Sequence, residues 1–245
     1  MQRLWESSSP EGYNHGHANF AKGVCPVSTR ALPDQSLSLC EKYRPLKIAD
    51  FIGLAKPKQI LQKMAAQPTG RAFLFEGKSG SGKTAMAQAF AAAIPALIHP
   101  LPAHACTRDN VALLWMTCQS KPISGSHMHM VLIDQADTLN KNQQLELRSK
   151  IDGPESLPHV IWVFTATPTS KLDAGLRSRC IHLKFSTHGN SKAATEFLEL
   201  IWQAEAPTAS PPNFARIVKE ANGSIRTALM ELEQKLTLAL NPDIE

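Results

Sequence analysis

Eight consecutive residues, Gly77-Lys78-Ser79-Gly80-Ser81-Gly82-Lys83-Thr84, have the types and spacing of G-x-x-x-x-G-K-[ST]. Glycines at these positions let the backbone curl until successive N–H groups point inward, a concavity that suits phosphate oxygens. Lys83 supplies a cation for the outer phosphates and Thr84 a hydroxyl for Mg2+. The N-terminus of a following helix adds positive potential. The flanks agree with that reading. Ala72-Phe73-Leu74-Phe75 is a short apolar run that reads as a buried strand, and residues 85–94 are mostly strong helix formers. The expected ligand is a nucleoside triphosphate with its metal, ATP and Mg2+.

A carboxylate is needed on a neighbouring strand to orient the water shell of that metal. Asp134 is placed for it, ending the apolar run His129-Met130-Val131-Leu132-Ile133 about 50 residues beyond Thr84. The next position of such an ATPase carries Glu, which polarises the attacking water; here it is Gln135. A carboxamide positions water but cannot take its proton. General-base catalysis is worth roughly 10²–10⁴ in rate, so hydrolysis is expected to be weak or lost unless another group, Asp137 first, acts as base.

These residues need a scaffold that brings strand ends together. Residues 1–36 mix Ser, Gly, His, Asn and Pro without periodicity and read as a flexible leader, with Trp5 or Phe20 as a possible anchor. A helix with Ile60, Leu61, Met64 and Ala65 on one face precedes the strand at Ala72. A short strand fits between Ile98 and Cys106, a helix around Asn110–Cys118, and a turn at Lys121–Ser126. Asn140 and Gln143 have capping-box spacing for a helix that ends before Gly153-Pro154. Val160–Thr165 is a near-continuous apolar strand, whereas Cys180–Phe185 alternates and belongs nearer an edge. Strands alternating with helices predict an α/β fold, a parallel five-stranded sheet wrapped by helices over residues 37–186. From 187 to 245 the period is helical only, and three helices marked by Phe197, Phe214 and Leu229 predict a small C-terminal lid domain.

The formal charge of +5 is unevenly placed: residues 37–186 carry 18 Lys/Arg against 10 Asp/Glu, and residues 187–245 carry 5 against 8. Part of the positive excess faces nucleotide, and the rest suits a polyanion such as DNA or a solvated basic surface. Five irregularly spaced cysteines make no disulfide framework, and a reducing cytoplasm is the expected home. No apolar run approaches the roughly 18 residues that span a bilayer, so no membrane partner is expected.

The motifs, in their order, resemble those of clamp-loader ATPases, the AAA+ subunits of replication factor C and of the bacterial DNA polymerase III gamma complex. The likeness is carried by Tyr43-Arg44-Pro45, Phe51-Ile52-Gly53, Gly77–Thr84, Asp134-Gln135-Ala136-Asp137, Ser178-Arg179-Cys180 and Gly223-Ser224-Ile225-Arg226, and it spans residues 41–240. The resemblance implies that Tyr43, Arg44, Ile52 and Gly53 line the adenine site and that Thr167 sits at the sensor-1 position. It also implies that Arg226 is the sensor-2 arginine and that Arg179 reaches the ATP of a neighbouring subunit. Other AAA+ subunits, primer–template DNA and a sliding clamp are the partners it implies. Gln135 departs from the usual Glu, and Thr167 stands where replication factor C subunits usually have Asn. No collar domain is expected after the lid; in that family the collar holds the ring together.

One further group has zinc-ligand chemistry: His104-x-Cys106, Cys118 and His127-x-His129. The gamma-type subunits hold zinc with four closely spaced cysteines that are absent here. The spacing C-x11-C with H-x-H is not a standard zinc pattern, and buried thiols with loop histidines are the favoured reading.

Overall fold

The computed structural model describes residues 37–122, 127–152, 156–167, 169–186 and 190–240. The leader, its Trp5 and Phe20, and the turn residues 123–126 lie outside the described residues. Five strands, β1 (Ala72–Gly77), β2 (Ala96–Pro100), β3 (Met128–Ile133), β4 (Val160–Ala166) and β5 (Cys180–Phe185), form one sheet in the order β2-β3-β4-β1-β5. Every pairing is parallel. The C-terminal ends of β1, β3 and β4 therefore converge on one rim, where open α/β sheets bind ligands.

Why these segments become strands is visible in their burial. Every residue of β3 and β4 is buried, as expected of strands covered on both faces. On one face, Phe73, Phe75, Met130, Leu132, Ile161 and Val163 pack with Met86 and Phe90 of α3 (Lys83–Ala93) and Leu61 of α2 (Ala55–Ala66). On the other, Leu74, Val131, Ile133, Trp162 and Phe164 meet Val111 and Trp115 of α4 (Arg108–Cys118) and Leu147 of α5 (Lys141–Ile151). Each such side chain, fully buried, contributes roughly 1.5–3 kcal/mol. β5 lies at an edge and its burial alternates over its second half, as its sequence pattern predicts. β2, at the other edge, begins two residues earlier than Ile98 and is only half-buried, because one side of it faces solvent.

Helix starts follow their caps. The Thr107 hydroxyl accepts the N–H of Asn110 at the head of α4. Asn140 and Gln143 form the predicted capping box, each side chain accepting the other's backbone N–H at 2.9 Å.

The C-terminal helices α7 (Ser191–Glu205), α8 (Phe214–Glu220) and α9 (Ile225–Leu240) pack through Phe197, Leu198, Ile201, Ile217, Leu229 and Leu232. Leu39 of the short α1 (Leu39–Lys42) and Tyr43 join this cluster, so the chain just before the α/β sheet is clasped by helices from its far end. A further short helix, α6 (Ala174–Arg177), leads into β5. No helix among the described residues is long and apolar enough to cross a membrane.

Candidate functional site

The loop after β1 carries its glycines in left-handed conformations, φ 74° at Gly80 and 89° at Gly82. Gly80 is required twice over. A Cβ there would also lie 2.2 Å from Ser224 Oγ and 3.0 Å from Arg226 Cβ, where the chain entering α9 crosses the loop. Lys83 folds back onto its own loop, its Nζ donating to the carbonyls of Gly77 at 2.7 Å and Lys78 at 2.8 Å. Burial lowers the Lys83 pKa from the usual lysine value, against the pull of Asp134 and Asp137. Ser81 Oγ is buried without a hydrogen-bond partner among the described residues. A buried hydroxyl unmet among the described residues and an ammonium held by two loop carbonyls fit an anionic ligand.

Asp134 stands at the end of β3 beside this loop. Its Oδ1 accepts the Thr84 hydroxyl at 3.1 Å and, in a shorter contact, the hydroxyl of Thr165 from β4. A carboxylate and a hydroxyl this close form the donor pair that hard, oxygen-seeking Mg2+ takes alongside phosphate oxygens. Thr165 Oγ1 also accepts the backbone N–H of Gln135 at 3.1 Å, and Gln135 sits in a left-handed conformation (φ 58°, ψ 44°) with its side chain exposed toward the cavity. Asp137 Oδ1 accepts the N–H of Thr167 at 3.1 Å. Thr165 is the site residue that sequence reasoning missed. It lies inside an apolar run and reads there as strand core, and only its place beside Asp134 singles it out.

A cavity of about 610 Å³ gathers most of the predicted residues, a size ordinary for small-molecule sites. Ser79, Gly80, Ser81, Gly82, Lys83, Thr84, Asp134, Gln135, Thr167 and Arg226 line it, together with Tyr43, Arg44 and Ile52. Gly77 and Lys78 enter through the loop. Lys78 Nζ donates to Asn222 Oδ1 at 2.9 Å, tying the loop to the approach of α9. Gly53 is not in the lining. It holds φ 62° and a Cβ on it would overlap the Asn190 side chain, so it marks close packing against the start of α7. The Tyr43 hydroxyl donates to Glu205, which also takes Lys42 at 2.6 Å, and burial followed by this carboxylate raises the Tyr43 pKa.

Arg179 lies elsewhere. It precedes β5, where its Nε meets Asp152 Oδ2 at 3.0 Å and a terminal guanidinium nitrogen donates to the Gly175 carbonyl at 2.9 Å. Cys180 pairs with Ala72, the first residue of β1, whereas the phosphate loop opens at Gly77, the last. Five strand steps put roughly 17 Å between those levels. The arginine is thus at the opposite end of the strands from the cavity.

Residues 73–187, from β1 to just past β5, match the model of the AAA family, ATPases associated with various cellular activities. Among curated proteins, the chain is 24% identical over 210 residues to probable replication factor C subunit 2 of Dictyostelium discoideum, covering 82% of this chain and 61% of that protein. It is 24% identical over 211 residues to a replication factor C small subunit of Natronomonas pharaonis, covering 84% and 64%. It is 23% identical over 230 residues to DNA polymerase III subunit tau/gamma of Haemophilus influenzae, covering 82% and 32%. The chain therefore spans less than two thirds of these relatives. The Thermotoga maritima RuvB Holliday junction branch migration motor shares the fold with a TM-score of 0.62 at 21% identity, covering 82% of this chain and 74% of that one. The stretch that holds the phosphate loop and all five strands is thus similar to the AAA ATPases. The resemblance to replication factor C and DNA polymerase III gamma-type subunits, read from its motifs, is borne out by these relatives.

Proposed function

We propose that this chain is an ATP-binding, clamp-loader-like AAA+ subunit that acts in DNA replication or repair, inside the cytoplasm. In this reading ATP with Mg2+ fills the cavity, held by the loop Gly77–Thr84 and by Asp134. Tyr43, Arg44 and Ile52 border the base, and Arg226 reads the phosphates from α9. The single observation that carries the reading is the split of functional groups. One cavity gathers loop, acid and Arg226, while Arg179 sits at the far end of the sheet. An arginine so placed is useful to the nucleotide of another subunit, where it is worth roughly 10³–10⁵ in rate. Binding then couples subunits, and the assembly grips primer–template DNA and a sliding clamp.

The metal would supply charge neutralisation and orient the phosphate oxygens. What the chain's own residues do is separate from that. Lys83 releases its loop carbonyls to reach phosphate, Thr84 and Asp134 hold the metal's ligands, and Thr165 and Gln135 fix the water side of the site.

Gln135 favours a second reading, a non-hydrolysing nucleotide switch or structural subunit that keeps ATP bound to organise partners. A mixing experiment separates the two. Arg179→Ala chains retain their cavity and Lys83→Ala chains retain their arginine. Combined in one assembly with primed DNA, they are expected to recover part of the ATP turnover that each lacks alone. An assembly shown to contain both chains and still inactive would defeat the subunit-coupled reading, and a chain that stays monomeric with ATP and DNA would leave the switch.

A further inference from the structure

The zinc-type residues noted in the sequence do not assemble as a set. Cys106 turns its thiol toward the carbonyls of Leu101 and Pro102. Cys118 and His129 instead converge with His99, which the sequence pattern had not placed with them. Sheet register is the reason. His129 pairs with Leu97, so His99, two residues on, projects from the same face of the adjoining strand. Cys118, the last residue of α4 and fully buried, comes down on that face from the covering helix. His99 Nε2 and His129 Nδ1 are 2.8 Å apart, and a ring nitrogen of each histidine and Cys118 Sγ all lie within 4.8 Å of one another.

We propose that His99, Cys118 and His129 hold a divalent transition-metal ion of the zinc class. The ring of His129 is already set for it. Its Nε2 lies 2.7 Å from the Ser120 carbonyl, which can only accept, so Nε2 carries the proton and Nδ1 offers a lone pair. A backbone carbonyl fixing the far nitrogen is the outer support that metal-binding histidines use. His159 braces the third ligand, its Nε2 bonding the Cys118 carbonyl at 2.8 Å. Bond lengths of about 2.0–2.1 Å to nitrogen and 2.3 Å to sulfur put tetrahedral ligand atoms roughly 3.3–3.6 Å apart. The two rings would therefore part by about 0.5 Å, exchanging one hydrogen bond for two metal bonds. His99 moves its proton to the other ring nitrogen, the thiol proton of Cys118 leaves to solvent, and a water completes the four positions. Entry is from the β2 edge, where His99 is half-buried. Two imidazoles and a thiolate select zinc-class ions over Mg2+. The site is also distinct from the nucleotide cavity, since five strand steps along β3, roughly 17 Å, separate His129 from Asp134. Its effect is to clip the edge strand β2 and the end of α4 to the interior strand β3.

The test uses the full chain, stripped with a chelator and titrated with Zn2+ and with Co2+ as a spectroscopic stand-in. The expected result is one tight equivalent and a thiolate-to-cobalt charge-transfer band in the near ultraviolet. Cys118→Ser should remove the band. His99→Gln, at a half-exposed position where an amide keeps a hydrogen bond to His129, should weaken Zn2+ binding by about 100-fold or more with an unchanged circular dichroism spectrum. Mg·ATP binding should be the same in His99→Gln as in wild type. A wild-type chain with no thiolate band, or Zn2+ affinity retained in His99→Gln, would overturn the proposal.

Discussion

Replacing Gln135 by Glu changes one group in the cavity while leaving its frame intact. The two side chains have the same shape, and the left-handed backbone at this position (φ 58°, ψ 44°) treats them alike. The backbone N–H that Thr165 accepts is kept as well. What changes is that the water side of the site gains a proton acceptor. A positioned general base is worth roughly 10²–10⁴. The new carboxylate stands near Asp134 and Asp137, which costs part of that gain until Mg2+ and Lys83 offset the charge. The expected rise in turnover is at least about tenfold, equivalent to about 1.4 kcal/mol of barrier. Phosphate release under multiple turnover, with and without primed DNA, measures it, and Mg·ATP affinity measured alongside separates chemistry from binding. If the wild-type chain already turns over at a rate ordinary for enzymes and Gln135→Glu adds nothing, the reasoning fails. Asp137, held by the Thr167 N–H in the same cavity, is then the base to test by Asp137→Asn.

Thr165→Val should weaken Mg·ATP binding, because its hydroxyl supports both Asp134 and the Gln135 backbone. An unsatisfied buried partner costs about 1–3 kcal/mol, so the affinity loss should be roughly 5- to 150-fold with the fold preserved; unchanged affinity would remove Thr165 from the site. Burial pushes the thiols of Cys106 up to about 11 and Cys180 up to about 12, from an ordinary 9.0. At pH 8 the native chain should label at Cys106 about 100-fold more slowly than the unfolded chain, because the thiolate is the nucleophile. The sign for stability follows from protons bound. Between 9.0 and 11 the unfolded thiol has lost its proton and the folded one keeps it, so stability is full below pH 9 and falls as pH rises above it. A melting temperature that rose over that range would contradict this.

Legibility in the sequence depended on how locally each feature is encoded. β1, the phosphate loop and α3 were readable because an apolar run, fixed glycines and helix formers follow one another without a gap. The capping box of α5 was equally local, two side chains three residues apart. Asp134 was legible because it ends an apolar run. β2 was blurred because an edge strand with Leu97 exposed and Pro100 at its end has no clean period. Thr165 was hidden since one hydroxyl in a fully buried strand looks like core filling. His99, Cys118 and His129 come from an edge strand, a helix end and an interior strand. Their meeting is decided by sheet register, a long-range quantity that no window of residues contains.

The central claim is that the loop Gly77–Thr84 with Asp134 binds Mg·ATP, and calorimetry on the full chain tests it most directly. Wild type should release heat at a single site with Mg·ATP or Mg·ADP. Lys83→Ala should give no binding heat while its circular dichroism spectrum matches wild type, because the hydrogen bonds of the ammonium among the described residues go to two loop carbonyls. A wild-type chain that is folded and gives no heat with either nucleotide, or a Lys83→Ala chain that binds as tightly as wild type, would contradict the account.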